Sequence, residues 1–263
     1  MPFADLEDVQ LHYRIDGDPD GPPVVFANAL GTDLQLWDAM LPHLPAGLKL
    51  IRYDLRGHGL SSAPAAPYSM GALIRDAERL LELLDIRDCI FVGLSIGGMI
   101  AQGLAVKRLD QIRGLVLSNT AAKIGTAAKW QQRIETVNTA GLESIADEVM
   151  QRWFSRGFRT LPEMALWRSK LVQQSPVGYT GCCAAIAGTD FYTPTSGLRL
   201  PTLGIAGSED GDTPPDLVRE TIDLIPGSSF ALMRKAGHLP CVEQPRDYAT
   251  LLDTFLQKIG HYG

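Results

Sequence analysis

The stretch that decides the fold is Cys89-Ile90-Phe91-Val92-Gly93-Leu94-Ser95-Ile96-Gly97-Gly98-Met99. Cys89 to Val92 is an unbroken apolar run, as expected of a strand covered on both faces. It ends in Gly93-Leu94-Ser95-Ile96-Gly97, and a helix is expected to open at Ile96. A serine at the apex of so sharp a strand-to-helix turn needs small neighbours, because side chains at 93 and 97 would collide. The helix also directs free N–H groups and a partial positive charge toward the serine, where an oxyanion would form.

Outward from this turn, short apolar runs alternate with helical patterns, the sign of parallel strands joined by crossover helices. Strands are expected at Val24–Ala27, Leu48–Tyr53, Leu115–Leu117, Thr202–Ala206 and Phe230–Met233, with a short helix over Asp33–Leu41. The clearest helix runs from about Met70 to Leu84. Its apolar positions Met70, Leu73, Ile74, Ala77, Leu80, Leu81 and Leu84 form one stripe, and Ser69 stands where it can cap the first turn. Further helices are expected to about Leu109, near Pro215–Leu224 and over Tyr248–Ile259. From Thr120 to about Thr195 the strand signals stop, and Trp130, Ile134, Val137, Val149, Trp153 and Phe154 mark apolar helix faces. So long a span is not a passive connection. The expected organisation is an α/β core of residues 1–119 and 196–263, with a mostly parallel central sheet and helices on both faces, interrupted by a helical cap of residues 120–195.

The chain has 263 residues, 45% of them apolar and 21% charged, with 26 Gly, 17 Pro and a formal charge of −6. These are globular proportions, which exclude disordered, collagenous and coiled-coil chains. No basic run exceeds two residues, which argues against a nucleic-acid surface, and no apolar stretch approaches the ~18 residues of a membrane span. Met1-Pro2-Phe3-Ala4-Asp5 lacks the layout of an export signal, so the expected location is the cytoplasm. Cys89, Cys182, Cys183 and Cys241 have no zinc-type spacing and are expected as free thiols.

A serine hydroxyl is a poor nucleophile without a base. Only His238 and His261 follow Ser95, and His261 is the third residue from the end, so His238, in the loop after the last strand, is the expected base. The acid that orients it should follow the strand ending at Ala206-Gly207. Asp210 is the first choice, Asp212 the alternative, and Glu209 is expected to be solvated. The backbone N–H groups of Leu30, in Asn28-Ala29-Leu30-Gly31-Thr32, and of Ile96 are the candidate oxyanion donors. His58 in Arg56-Gly57-His58-Gly59 has no ligand partners at metal spacing and is expected to be structural. Cys241 has no elbow around it and is expected to be packed near the site. No metal and no cofactor are expected.

These residues resemble the α/β-hydrolase fold over nearly the whole chain. Within it, Phe26-Ala27-Asn28-Ala29-Leu30-Gly31-Thr32-Asp33 with Trp37, Arg52-Tyr53-Asp54-Leu55-Arg56-Gly57-His58-Gly59, Ser118-Asn119-Thr120-Ala121-Ala122-Lys123-Ile124-Gly125 and Gly207-Ser208-Glu209-Asp210 with Thr213-Pro214-Pro215 resemble 3-oxoadipate enol-lactonases. Two departures stand out: Ala29 where a serine is usual, and Gly211-Asp212 in place of the usual Pro-x after the acid. The resemblance implies a Ser-His-Asp carboxylic-ester hydrolase that opens 3-oxoadipate enol-lactone, a small anionic lactone of aromatic catabolism, to 3-oxoadipate. The span 120–195 holds eight Lys/Arg and six Asp/Glu, so it is positive while the remainder is strongly negative. A cap of that sign suits an anionic substrate. Arg133 is the first candidate partner for its carboxylate, followed by Lys123 and Trp130. The same residues also fit another small-ester or carbon–carbon bond hydrolase, or a ligand-binding receptor on this fold.

Overall fold

A computed structural model describes residues 2–262. Among them, eight strands form one sheet in the order β1-β2-β4-β3-β5-β6-β7-β8. The first two, β1 (Phe3–Asp5) and β2 (Gln10–Gly17), are an antiparallel hairpin, and β2 is antiparallel to β4. The rest, β3 (Pro23–Ala27), β4 (Lys49–Tyr53), β5 (Cys89–Leu94), β6 (Ile112–Ser118), β7 (Thr202–Gly207) and β8 (Ser229–Met233), run parallel. The six residues of β5 are all buried, as befits a strand covered on both faces.

Helix α1 (Met70–Leu83) buries the predicted stripe, and the Ser69 hydroxyl accepts the Ala72 N–H at 3.2 Å as its cap. Helix α2 (Ile96–Lys107) lies next in the chain, directly behind the turn at Ser95. The chain between β6 and β7 then forms α3 (Ala127–Ala140), α4 (Glu143–Trp153), α5 (Glu163–Val172), α6 (Pro176–Ala187) and the short α7 (Tyr192–Ser196). Helices α8 (Pro215–Asp223), α9 (Pro240–Glu243) and α10 (Pro245–Lys258) complete the fold. No helix among the described residues is long and apolar enough to cross a membrane.

Two expectations need correction, and one element went unpredicted. The N-terminal hairpin carried no clear signal, because β1 and much of β2 lie exposed at the sheet edge and alternate only weakly. The helix expected over Asp33–Leu41 is two short 3-10 turns, Leu34–Trp37 and Leu41–His43, with Pro42 inside the second. The last helix begins three residues before Tyr248, at Pro245, whose fixed φ suits a first helical turn.

Candidate active site

Ser95 sits between β5 and α2 with φ +58° and ψ −117°. This backbone state costs a non-glycine residue of order 1–3 kcal/mol and persists only where the surroundings hold it. Here the Ser95 N–H donates to Ser118 O at 3.0 Å, and Ser95 O accepts the Thr120 hydroxyl at 2.6 Å and the Gly98 N–H at 2.9 Å. The two glycines are sterically required. A Cβ at Gly93 would lie 2.2 Å from Gly97 O, and one at Gly97 would lie 2.2 Å from Ala27 O.

His238 lies in the loop after β8, and its Nδ1 is 2.9 Å from Asp210 Oδ2. The same oxygen accepts Asn119 Nδ2 at 2.8 Å and the Thr213 hydroxyl at 2.7 Å, while Oδ1 accepts the Asp212 and Thr213 N–H groups at 2.7 and 3.0 Å. Burial by itself would push the Asp210 carboxyl up. The His238 charge and these donors outweigh it and hold the carboxyl below its usual range. For His238, burial disfavours the proton, but the Asp210 carboxylate prevails and lifts the imidazole above its usual value. Asp212 does not meet the ring. Its carboxylate is 3.1 Å from Arg152 Nε. Glu209 turns to the surface, where it accepts the Arg156 N–H at 2.9 Å.

Ser95 and His238 line one small cavity of about 30 Å³, together with Leu30, Trp130, Arg133 and Tyr179. That is room for about two water molecules. No hydrogen bond joins Ser95 Oγ to the imidazole, a contact that in such sites commonly tightens only around the reacting substrate. The amides of Leu30 and Ile96 have no acceptor among the described residues, so both remain free to donate. A second cavity of about 140 Å³ shares Ile124, Trp130, Arg133 and Asp212 with the first and adds Lys129 and Arg152. Arg133 is largely buried there, with its guanidinium 3.3 Å from Tyr179 Oη and 3.1 Å from Glu148 Oε1. Trp130 is fixed by its indole N–H, which donates to Ile124 O at 2.7 Å. Lys123, also expected in the site, lies outside both cavities, half-exposed and paired with Asp190 at 3.1 Å. It precedes α3 and turns the other way.

The family model for the α/β hydrolase fold matches residues 22–245. The chain belongs to the α/β hydrolase family. It is 35% identical to 3-oxoadipate enol-lactonase 2 of Acinetobacter baylyi, over 97% of this chain and 96% of that protein. It is 30% identical to 3-oxoadipate enol-lactonase 1 of the same organism, over 95% and 94% of the two chains. The solved enol-lactonase of Burkholderia xenovorans LB400 superposes with a TM-score of 0.94 at 34% identity, covering 97% of this chain and all of that one.

This α/β hydrolase also holds its site through residues that the sequence did not single out for the purpose. Asn119 adopts φ +45° and donates to both Asp210 and Gly237 O, tying the end of β6 to Asp210 and to the histidine loop. Glu243 accepts the Gly237 N–H at 2.7 Å and the Ser155 hydroxyl, so it joins the histidine loop to the end of α4. The His238 N–H in turn donates to Trp153 O at 2.7 Å. Asn119 and Glu243 both lie close in sequence to predicted residues, but nothing local shows which way their side chains turn. His58 and Cys241 are both buried. Cys241 makes only a weak contact from Sγ to Leu36 O, and burial drives its thiol far above the usual range.

Proposed function

We propose that the protein is a serine hydrolase that opens 3-oxoadipate enol-lactone to 3-oxoadipate in the catabolism of aromatic compounds. The observation that carries this reading is the single cavity shared by Ser95, the Asp210-paired His238 and the Arg133 guanidinium. The kinship with enol-lactonases supports the choice of lactone.

In this scheme Ser95 Oγ attacks the ring carbonyl while His238 Nε2 takes its proton. Asp210 keeps the imidazole in the Nδ1–H form and stabilises the imidazolium without taking the proton itself. The amides of Leu30 and Ile96 receive the oxyanion. Collapse breaks the ring C–O bond and leaves a Ser95 ester. The departing oxygen is an enolate, a far better leaving group than an alkoxide, and it takes its proton from His238 and ketonises. Water then attacks the ester, giving a proton to His238, which passes it to Ser95 Oγ as the acyl C–O bond breaks, and the freed acid ionises and leaves. Each step is an acyl or proton transfer, so the scheme calls for no cofactor and no metal. Arg133 holds the carboxylate that the substrate already carries, and Trp130 walls the ring. Residues 120–195 act as a cap over a core of 1–119 and 196–263, and the enzyme works in the cytoplasm, where such intermediates arise.

The deciding experiment follows the ultraviolet absorbance of the enol-lactone on addition of enzyme, beside simple aryl esters. Rapid loss of absorbance is expected. A folded enzyme that cleaves aryl esters and leaves the lactone untouched overturns the substrate, and one that cleaves neither overturns the hydrolase.

A further inference from the structure

Tyr179 lies in the first turn of α6, where a close seat on the core fixes it. Ser175 caps this helix by accepting the Gly178 N–H at 3.2 Å, and the Tyr179 N–H donates to Ser175 O at 2.9 Å. Neighbouring Gly178 rests so closely on the backbone of Gly57 that a Cβ there would lie 2.0 Å from Gly57 O. The tyrosine ring in turn packs on Gly31, where an added Cβ would meet Tyr179 Cε2 at 3.2 Å. Tyr179 is thereby buried beside the loop that carries Leu30, and it lines the cavity of Ser95, His238 and Arg133.

A phenol hydroxyl can donate one hydrogen bond and accept others. Tyr179 Oη accepts Arg133 Nη1 at 3.3 Å, while its own proton has no acceptor among the described residues. Buried donors are rarely left without a partner. Burial drives this phenol far above its usual range, so the proton stays on at neutral pH. A hydroxyl that accepts from a cation is polarised and donates more strongly.

We propose, resting on the enol-lactonase reading, that Tyr179 is a specificity-determining residue that holds the carboxylate of the incoming substrate jointly with Arg133. Arg133 supplies the charge and an N–H, and the Tyr179 hydroxyl donates a hydrogen bond to the same carboxylate. Arg133 lines both cavities and Tyr179 only the inner one, so a carboxylate on both sits on the Ser95 side of the guanidinium. It then lies a short arm from the carbonyl over Ser95, as the carboxymethyl group of the lactone requires. A carboxamide in that place offers one oxygen instead of two and turns its own N–H groups toward these donors. No bond forms or breaks at Tyr179.

The test is calorimetric titration of adipamate, which carries one carboxylate and one carboxamide, beside adipamide, which carries two carboxamides. The wild-type protein should bind adipamate at least about tenfold more tightly, the worth of hydrogen bonds to a charged group. Tyr179→Phe keeps the ring on Gly31 and should weaken adipamate about tenfold, with adipamide nearly unchanged. Arg133→Lys keeps the charge but not the guanidinium that Tyr179 braces. On that background Tyr179→Phe should still cost adipamate severalfold, because the hydroxyl reaches the carboxylate itself. With tyrosine isotope-labelled at Cζ, one of the seven wild-type resonances should move with adipamate and stay with adipamide. Equal wild-type binding of the two ligands, no binding of adipamate, an unmoved titration in Tyr179→Phe, or Cζ resonances blind to the carboxylate overturns the clamp. A loss that vanishes on the Arg133→Lys background reduces Tyr179 to a brace for Arg133 and overturns it too. Neither the titrations nor the spectra need turnover or the lactone, so failure of the enol-lactonase reading and failure of the clamp are read separately.

Discussion

His58 Nε2 accepts the Gly31 N–H at 3.0 Å, so a buried histidine from the loop after β4 holds the loop that carries Leu30. Its other nitrogen, Nδ1, is 3.2 Å from Arg56 O, which leaves Nδ1 as the donor and the ring neutral. Burial pushes this imidazole down to about 4. The unfolded chain therefore binds a proton that the folded one refuses between about 6.5 and 4. The stability that neutral His58 contributes is present above about pH 6.5 and is lost as pH falls toward 4. Urea unfolding at pH 7 and pH 4.5 should show the loss, and the gap between wild type and His58→Gln should narrow at the lower pH. An equal gap at both values removes the histidine from this role.

Ser95→Ala should lower turnover by at least about three orders of magnitude while the melting temperature holds or rises, since alanine removes the proposed nucleophile and little packing. A serine-reactive phosphonate should label the wild type at Ser95, as read by peptide mapping. Retention of a tenth of the rate rules out the acyl-enzyme route and leaves direct attack of water on the lactone.

The rate should rise with pH through one ionisation, because His238 must lose its proton to act as base. With Asp210 holding the imidazole above its usual value, that ionisation should fall above the ~6.5 reference of a free histidine. Asp210→Asn should both shift the profile downward and cost roughly three to four orders of magnitude in kcat, through loss of the correct tautomer. The equivalent change at Asp212 should cost far less in kcat. The reverse order of effects would make Asp212 the acid.

Arg133→Ala should raise KM for carboxylate-bearing substrates by roughly ten- to a hundredfold, the worth of a charged hydrogen bond, and change kcat less. Neutral aryl esters should be affected little. Lys123→Ala, outside both cavities, should change neither constant. An unmoved KM in Arg133→Ala puts the substrate carboxylate elsewhere.

All four cysteines are free and buried. A thiol reagent should therefore react with the native enzyme far more slowly than with the unfolded chain, and should not inactivate it. Rapid inactivation blocked by a substrate analogue would show that Cys241 is accessible at the site.

Much of the architecture could be read locally because it depends on local rules. The apolar run of β5, the two glycines that flank Ser95 at short range, and the 3.6-residue stripe of α1 each impose their structure without help from distant residues. The same holds for a histidine loop placed after the last strand. The N-terminal hairpin was obscure for the opposite reason, since an exposed edge strand buries too little to impose alternation.

Order along the chain determined the parallel sheet, the strained turn at Ser95 and the short set of residues that could accompany it. Folding alone chose among neighbours. Asp210 and Asp212 lie in one turn, yet Asn119 and Thr213 draw the first toward His238 while Arg152, from a helix about sixty residues earlier, draws the second away from the ring. Lys123 and Arg133 lie ten residues apart, yet only the arginine turns inward, because α3 presents it to Tyr179 of α6. A side chain's direction within a turn is set by what packs against it, and those partners come from segments too distant in sequence for any local pattern to show.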